Sequence, residues 1–295
     1  MHRIIPALFL LLVPVIANAW NATGHRLVAR IAWERISPPQ QALITHSLKQ
    51  HPDYSRWVDK AHTAIDSAIF AEASTWPDDI RNDPRFYTAS YEPATPKTLG
   101  FPDMERHLKW HYMNLAPNGQ VKSGEIDQQI IRLNEVLRST RQNEQISYAL
   151  PWLIHLIGDI HQPLHVGRYE DRGGSRVEIE NPFNKRHPQT NLHVYWDSLG
   201  GPSGLRGKHL TKTAIRLLAT YPAPKCGSVA LWQAESHQLL PIAYPKTDGQ
   251  SLPIVSQAFH RQANQIADQR IVAAGYRLAC LLENAFQHRV SRETP

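Results

Sequence analysis

An ionised carboxylate on an otherwise apolar helix is costly unless it is paired or bound to a cation, and this chain places one there. Residues 148–160 read as a helix made largely of Leu, Ile and Trp, with His155 and Asp159 four positions apart. That spacing stacks both side chains on one helix face. Pro163 ends the helix, and His165 can fold back toward the same end. A single pair of this kind reads as a core His–Asp hydrogen bond. The spacing recurs, however, at His193 and Asp197 on a second candidate helix. His111 lies in Trp110-His111-Tyr112-Met113-Asn114, Asp78 in Trp76-Pro77-Asp78-Asp79-Ile80-Arg81, and His25 near the start. Two such pairs, joined by isolated His and Asp residues among aromatics, fit a multi-metal site gathered from several helices.

Composition supports that reading. Sixteen histidines in 295 residues are more than core packing asks for, and imidazole is the commonest metal ligand. At 42% hydrophobic and 20% charged, the chain is too apolar for disorder, and 15 Gly against 22 Pro exclude a collagen-like repeat. A net charge of +6 suits a polyanionic partner.

The first residues read as an address. His2 and Arg3 precede an apolar run over 4–16 and the small-x-small site Ala17-Asn18-Ala19, the pattern of a secretory signal peptide cleaved after Ala19. The run falls short of the roughly 20 residues of a spanning helix, so no membrane anchor is expected. The mature protein then begins at Trp20 and is secreted or periplasmic. Outside the cytosol the pair Cys226 and Cys280 tends to be oxidised, with buried free thiols the other reading. Asn21-Ala22-Thr23 is an N-glycosylation sequon, expected to be unused so close to His25.

Helical periodicity dominates the rest. Leu27, Ile31 and residues 33–36 form a first apolar face, and Pro38-Pro39 can open the next helix. Ile126, Ile130, Ile131, Leu133, Val136 and Leu137 give a stripe behind Ser123 as its N-cap. A long helix is expected over 255–286. Strand-like alternation is confined to 176–180, after a turn at Gly173-Gly174. One all-α domain, mainly helical with a short β-hairpin-like segment, is expected over 20–295, after a signal peptide over 1–19.

In their order along the chain these pieces resemble the zinc-dependent, single-strand-specific nucleases and 3′-nucleotidases, the type I nucleases of fungi, plants and bacteria. The matching residues are Trp20, Gly24-His25, Trp76-x-Asp78-x2-Arg81, Trp110-His111, His155-x3-Asp159, Gln162-Pro163-Leu164-His165, Gly173-Gly174, Asn191-Leu192-His193-x2-Trp196-Asp197 and Gly275-Tyr276-Arg277-Leu278-Ala279. The resemblance implies the helical fold shared with zinc phospholipase C. It implies an endonuclease that hydrolyses single-stranded DNA and RNA to 5′-phosphorylated products and also acts on 3′-nucleotides, with no stable protein partner.

The resemblance also implies three zinc ions. Asp78, His111, His155 and Asp159 would hold the first, and His165, His193 and Asp197 the second. The third would take the Trp20 amine and carbonyl, His25 and the bridging Asp159. Zinc lowers the pKa of a bound water from 15.7 to about 7. Asp78 and Asp159 with Arg81 form the expected catalytic set. Arg81, three residues after Asp78, is placed to clamp a phosphate oxygen, a surface salt bridge with Asp78 or Asp79 being the alternative. Tyr112 and Asn114 join Arg81 as expected substrate contacts. Tyr112 stands where fungal members carry a stacking Phe, Asn114 where they carry a base-binding Asp, and Ser175 where Asn commonly follows Gly-Gly. His161 falls at no ligand position and is expected behind the ligands or at the rim. The runner-up reading is a zinc phospholipase C acting on phospholipid head groups; a zinc-storage protein would leave Arg81 without a use.

Overall fold

Asn21 shows how closely local chemistry sets the elements. Its Oδ1 accepts from the Thr23 and Gly24 N–H groups at 3.0 and 3.2 Å, capping α1 (Ala22–Trp33), while its Nδ2 donates to the Gly201 carbonyl at 2.6 Å. The sequon asparagine is therefore committed to the fold. The computed structural model describes residues 20–247, 249 and 252–293; the leader expected over 1–19 lies outside the described residues.

Pro38 and Pro39 do open α2 (Pro38–Leu48), where the first N–H groups need no helical partner. The chain continues through α3 (Tyr54–Ala61), α4 (Asp66–Ala73), the short α5 (Trp76–Asp79), α6 (Ile126–Ser139), α7 (Asn143–Asp159), α8 (Leu192–Asp197), α9 (Gly207–Thr220), α10 (Val229–Gln238), α11 (Leu240–Ala243) and α12 (Gln257–Glu293). Short strands lie between them: β1 (Met113–Leu115), β2 (Val121–Gly124), β3 (Val166–Arg168), β4 (Glu178–Glu180) and β5 (Gln189–Asn191). The all-α expectation holds. Among the described residues no helix is long and apolar enough to cross a membrane.

Three boundaries differ from the sequence reading. Ser123 does not cap α6; it pairs with Asn114 inside β2, and Glu125 occupies the cap position without a side-chain bond. A turn at Gly124, φ +87°, separates strand from helix and takes Ser123 out of reach. Ile131 is not part of the buried stripe: Ile126, Ile130, Leu133 and Leu137 face the core, while Ile131 is 59% exposed. The central helix begins at Asn143, so Pro151 sits in its interior. Every residue from Ile146 to Asp159 is buried, and that packing offsets the hydrogen bond the proline cannot make. The C-terminal helix begins at Gln257 because the preceding segment pairs with β4: Glu180 N–H donates to Pro253 and Val255 N–H donates to Glu180.

Helix α1 lies along α12, α4 and α9 and touches α7, which in turn packs on α6 and α12. The α1–α12 crossing is tight, since a Cβ on Gly275 would stand 2.4 Å from Ile31 Cγ2. The Cys226–Cys280 disulfide is formed and ties the segment before α10 to α12. Closing a loop of that length contributes about 4 kcal/mol in the chain-entropy model.

The strands matter for what they align. β1 pairs antiparallel with β2 and parallel with β3, with Met113 opposite Val166. One-turn 3-10 helices, Leu108–His111 and Pro163–His165, run up to β1 and β3. The parallel pairing therefore sets His111 and His165 side by side. The expected hairpin is β4–β5, antiparallel, and β5 leads directly into α8.

Candidate metal centre

Asp159 closes α7 and is fully buried, and histidines from three directions converge on it. His25 Nε2 on α1 is 3.3 Å from Oδ1; His111 Nδ1 and His155 Nε2 are 3.0 and 3.2 Å from Oδ2. The His25 ring lies flat on His155, centroids 3.8 Å apart. Asp78 reaches His155 Nε2 at 3.8 Å, and Arg81 Nε sits 3.0 Å from Asp78 Oδ1. Beyond them His165, His193 and Asp197 form a second group, linked to the first by a 4.0 Å approach of His165 Nδ1 to Asp159 Oδ2.

Main-chain carbonyls fix the tautomers. His155 Nδ1–H donates to Ser74 O at 2.8 Å, His165 Nδ1–H to His111 O at 2.5 Å and His193 Nδ1–H to Gly173 O at 2.6 Å. Burial lowers the pKa of His165 and His193, so their Nε2 atoms are left with bare lone pairs, which face one another at 3.1 Å. Two such lone pairs repel unless a cation lies between them. His25 Nε2, His111 Nε2, Asp159 Oδ1 and Asp197 Oδ2 are likewise buried without a hydrogen bond. Imidazole and carboxylate with unsatisfied buried atoms are the donor set that divalent zinc takes, so these residues fit the metal.

Burial lowers the pKa of His25 to about 4, helped by His155, and that of His111 to about 3, helped by Arg81. Both rings are neutral and able to bind metal. Burial pushes the Asp197 carboxyl well above its usual range, against the pull of His193 and a Gln162 hydrogen bond. At Asp159 burial acts in the same sense, but His155, His165 and His111 together hold the carboxyl well below that range.

Eight of the nine residues expected as ligands thus lie in three groups, the first two sharing His155: His25, Asp78 and His155; His111, His155 and Asp159; His165, His193 and Asp197. Trp20, the ninth, stands beside them. Its indole N–H donates to Gly158 O at 3.0 Å, and its side chain lies against Gly24, where a Cβ would come within 2.8 Å. His161 is buried behind the cluster rather than at its rim, between Ile157 O and the Arg277 guanidinium.

A cleft of about 710 Å³ opens over His111, His165 and His193. Arg81, Tyr112 and Asn114 all line it; Arg81 Nε pairs with Asp78, and the pair is largely buried rather than at the surface. Asn114 Nδ2 reaches toward Ser123 Oγ at 3.4 Å. Sequence reasoning missed other residues that line the cleft, among them Tyr169, Glu170, Arg172 and Arg176. The signal was present as charged residues crowded on both sides of Gly173-Gly174, which read only as a turn.

Residues 20–287 match the family described as S1/P1 Nuclease. The chain is similar to Endonuclease 3 of Arabidopsis thaliana, 25% identical over 92% of this chain and 90% of that protein. It is also similar to Nuclease S1 of Aspergillus oryzae, 27% over 51% and 58%, and to Nuclease P1 of Penicillium citrinum, 26% over 66% and 63%. The family match runs through every residue gathered around Asp159, from α1 to α8, and the chain belongs to the S1/P1 nuclease family.

Proposed function

We propose that residues 20–295 form one catalytic domain of an exported, trinuclear-zinc endonuclease. It would cut single-stranded DNA and RNA to 5′-phosphorylated products and hydrolyse 3′-nucleotides. The observation that carries this reading is the set of buried, unsatisfied imidazole and carboxylate atoms facing one another beneath an open, Arg-lined cleft.

Asp78, His111, His155 and Asp159 would hold one zinc, and His165, His193 and Asp197 a second. His25, Asp159 and the Trp20 main chain would hold the third, with the Trp20 amine freed by cleavage after Ala19. Bound there, zinc supplies charge for a phosphate oxygen and activates water near neutral pH. The protein's own groups do the rest. Arg81 is oriented through Nε by Asp78 and brings its guanidinium charge to the cleft for a phosphate. Tyr112 offers an aromatic face to a base, a contact that reads no sequence. Asn114 brings an amide, both donor and acceptor, to the same wall. Neutral His25 and His111 leave the positive charge to the metal and Arg81.

The test is metal analysis of the purified protein together with release of acid-soluble nucleotide from denatured DNA. About three zinc per chain and preference for denatured over duplex DNA are expected. A zinc protein that leaves DNA intact but hydrolyses phosphatidylcholine would overturn the proposal in favour of a phospholipase.

A further inference from the structure

Arg172 stands out among the residues of the cleft because the fold spends several contacts on its loop and none on its guanidinium. The turn is closed by Gly173 N–H to Arg168 O at 2.9 Å and Arg172 N–H to Tyr169 O at 3.2 Å. Asp171 braces it from within, accepting from Gly174 N–H at 2.8 Å and from the Tyr244 hydroxyl at 2.7 Å. Arg168 lies over the Tyr244 ring at 4.2 Å. The Gly173 carbonyl, one residue on, holds His193. At the tip Arg172 takes a left-handed backbone, φ +52°, a conformation that costs a non-glycine residue free energy and persists where surroundings enforce it. Its side chain is exposed on the cleft wall and makes no hydrogen bond or ion pair with another described residue.

Of the three arginines lining the cleft, Arg176 donates to the Glu170 carbonyl at 3.3 Å, and the other two have contrasting surroundings. Arg81 is buried and paired with Asp78 beside the metal-binding groups. Arg172 is uncommitted and lines the same cleft as Tyr112. A 3′-mononucleotide has one phosphate and can occupy only the first. A polynucleotide with one phosphate at Arg81 and a base on Tyr112 extends further along the cleft. We propose that Arg172 binds a second phosphate of the same strand, next to the one being hydrolysed, and so favours polynucleotides over mononucleotides. This rests on the nuclease reading of the site.

The experiment compares wild type, Arg172→Ala and Arg172→Lys as zinc-loaded proteins. Binding of a cleavage-resistant phosphorothioate oligonucleotide is followed by anisotropy across a salt series, and hydrolysis of a 3′-mononucleotide is measured alongside. One phosphate contact contributes about 0.7 to the slope of log affinity against log salt for single strands. Arg172→Ala should lose roughly that much slope and about tenfold in oligonucleotide affinity, as for a charged hydrogen bond. Arg172→Lys should keep the slope, and mononucleotide hydrolysis should stay within about twofold in both variants. An unchanged slope in Arg172→Ala, or equal losses on both substrates, overturns the inference. Wild type that binds the oligonucleotide yet cuts no DNA would overturn the nuclease reading alone, with the slope still deciding Arg172. Wild type that does not bind it overturns both.

Discussion

At Gly158 the missing side chain lets His25 approach Asp159. A Cβ there would lie 2.8 Å from His25 Nδ1 and 3.1 Å from Cε1. In an isolated helix Gly→Ala gains about 1 kcal/mol; here Gly158→Ala should instead displace His25 and lower zinc content, most simply by one ion per chain. Wild-type zinc content would show that α1 can yield at no cost. Asp159→Asn removes the charge on which His25, His111 and His155 converge. Loss of both bound metal and nuclease activity is expected, and full zinc occupancy with normal turnover would exclude Asp159 as a shared ligand. At this scale the sequence was most readable: a histidine and an aspartate four apart on an apolar helix have few uses. Arg172 was not readable, because its significance lies in lacking a partner, which only the packed structure reveals.

Elements position these residues, and one crossing bears much of the load. Helix α1 carries His25 and meets α12 at Gly275, against Ile31 Cγ2 and Cβ at 2.4 and 2.6 Å from a notional Cβ. Overpacking of this kind costs typically 1–3 kcal/mol. Gly275→Ala should lower the thermal midpoint and also weaken zinc retention, because separating α1 from α12 moves His25. A lower midpoint with unchanged zinc affinity would confine the damage to packing. Helices were legible wherever periodicity was strong and punctuation clear, as at Pro38-Pro39. Ser123 misled because a good capping residue is also an acceptable strand residue, and nothing local says that Asn114 will pair with it. The three-stranded sheet escaped notice for a related reason. Its strands are three and four residues long, too short for alternation to register, and they pair across the chain.

Across the whole molecule, buried histidines tie stability to pH. His51 is enclosed by Trp57, Trp76 and Phe101, accepts the Asp53 N–H at Nδ1, and has its pKa lowered by burial from 6.5 to about 3. In the unfolded chain it takes a proton near pH 6.5; folded, it refuses one until about 3. The unfolded state therefore binds more protons in that window, and stability falls as pH falls through it, by at most about 1.4 kcal/mol per pH unit from this group. His51→Asn keeps an acceptor but does not titrate, so its thermal midpoint should change less steeply than wild type's between pH 6.5 and 4. Parallel slopes would remove His51 from the account. A different consequence follows from the hydrogen bond by which the His111 carbonyl orients the His165 ring. One prospective ligand supplies the main chain that steers another, and Asp159 lies within reach of both groups. Neither half of the centre can be assembled while the other is loose, so an ion captured by either should raise the affinity of the next. Zinc added to the metal-free protein should then bind sigmoidally, and partially loaded protein should separate into empty and full molecules with few between. A loading curve of independent sites would show the halves to be uncoupled.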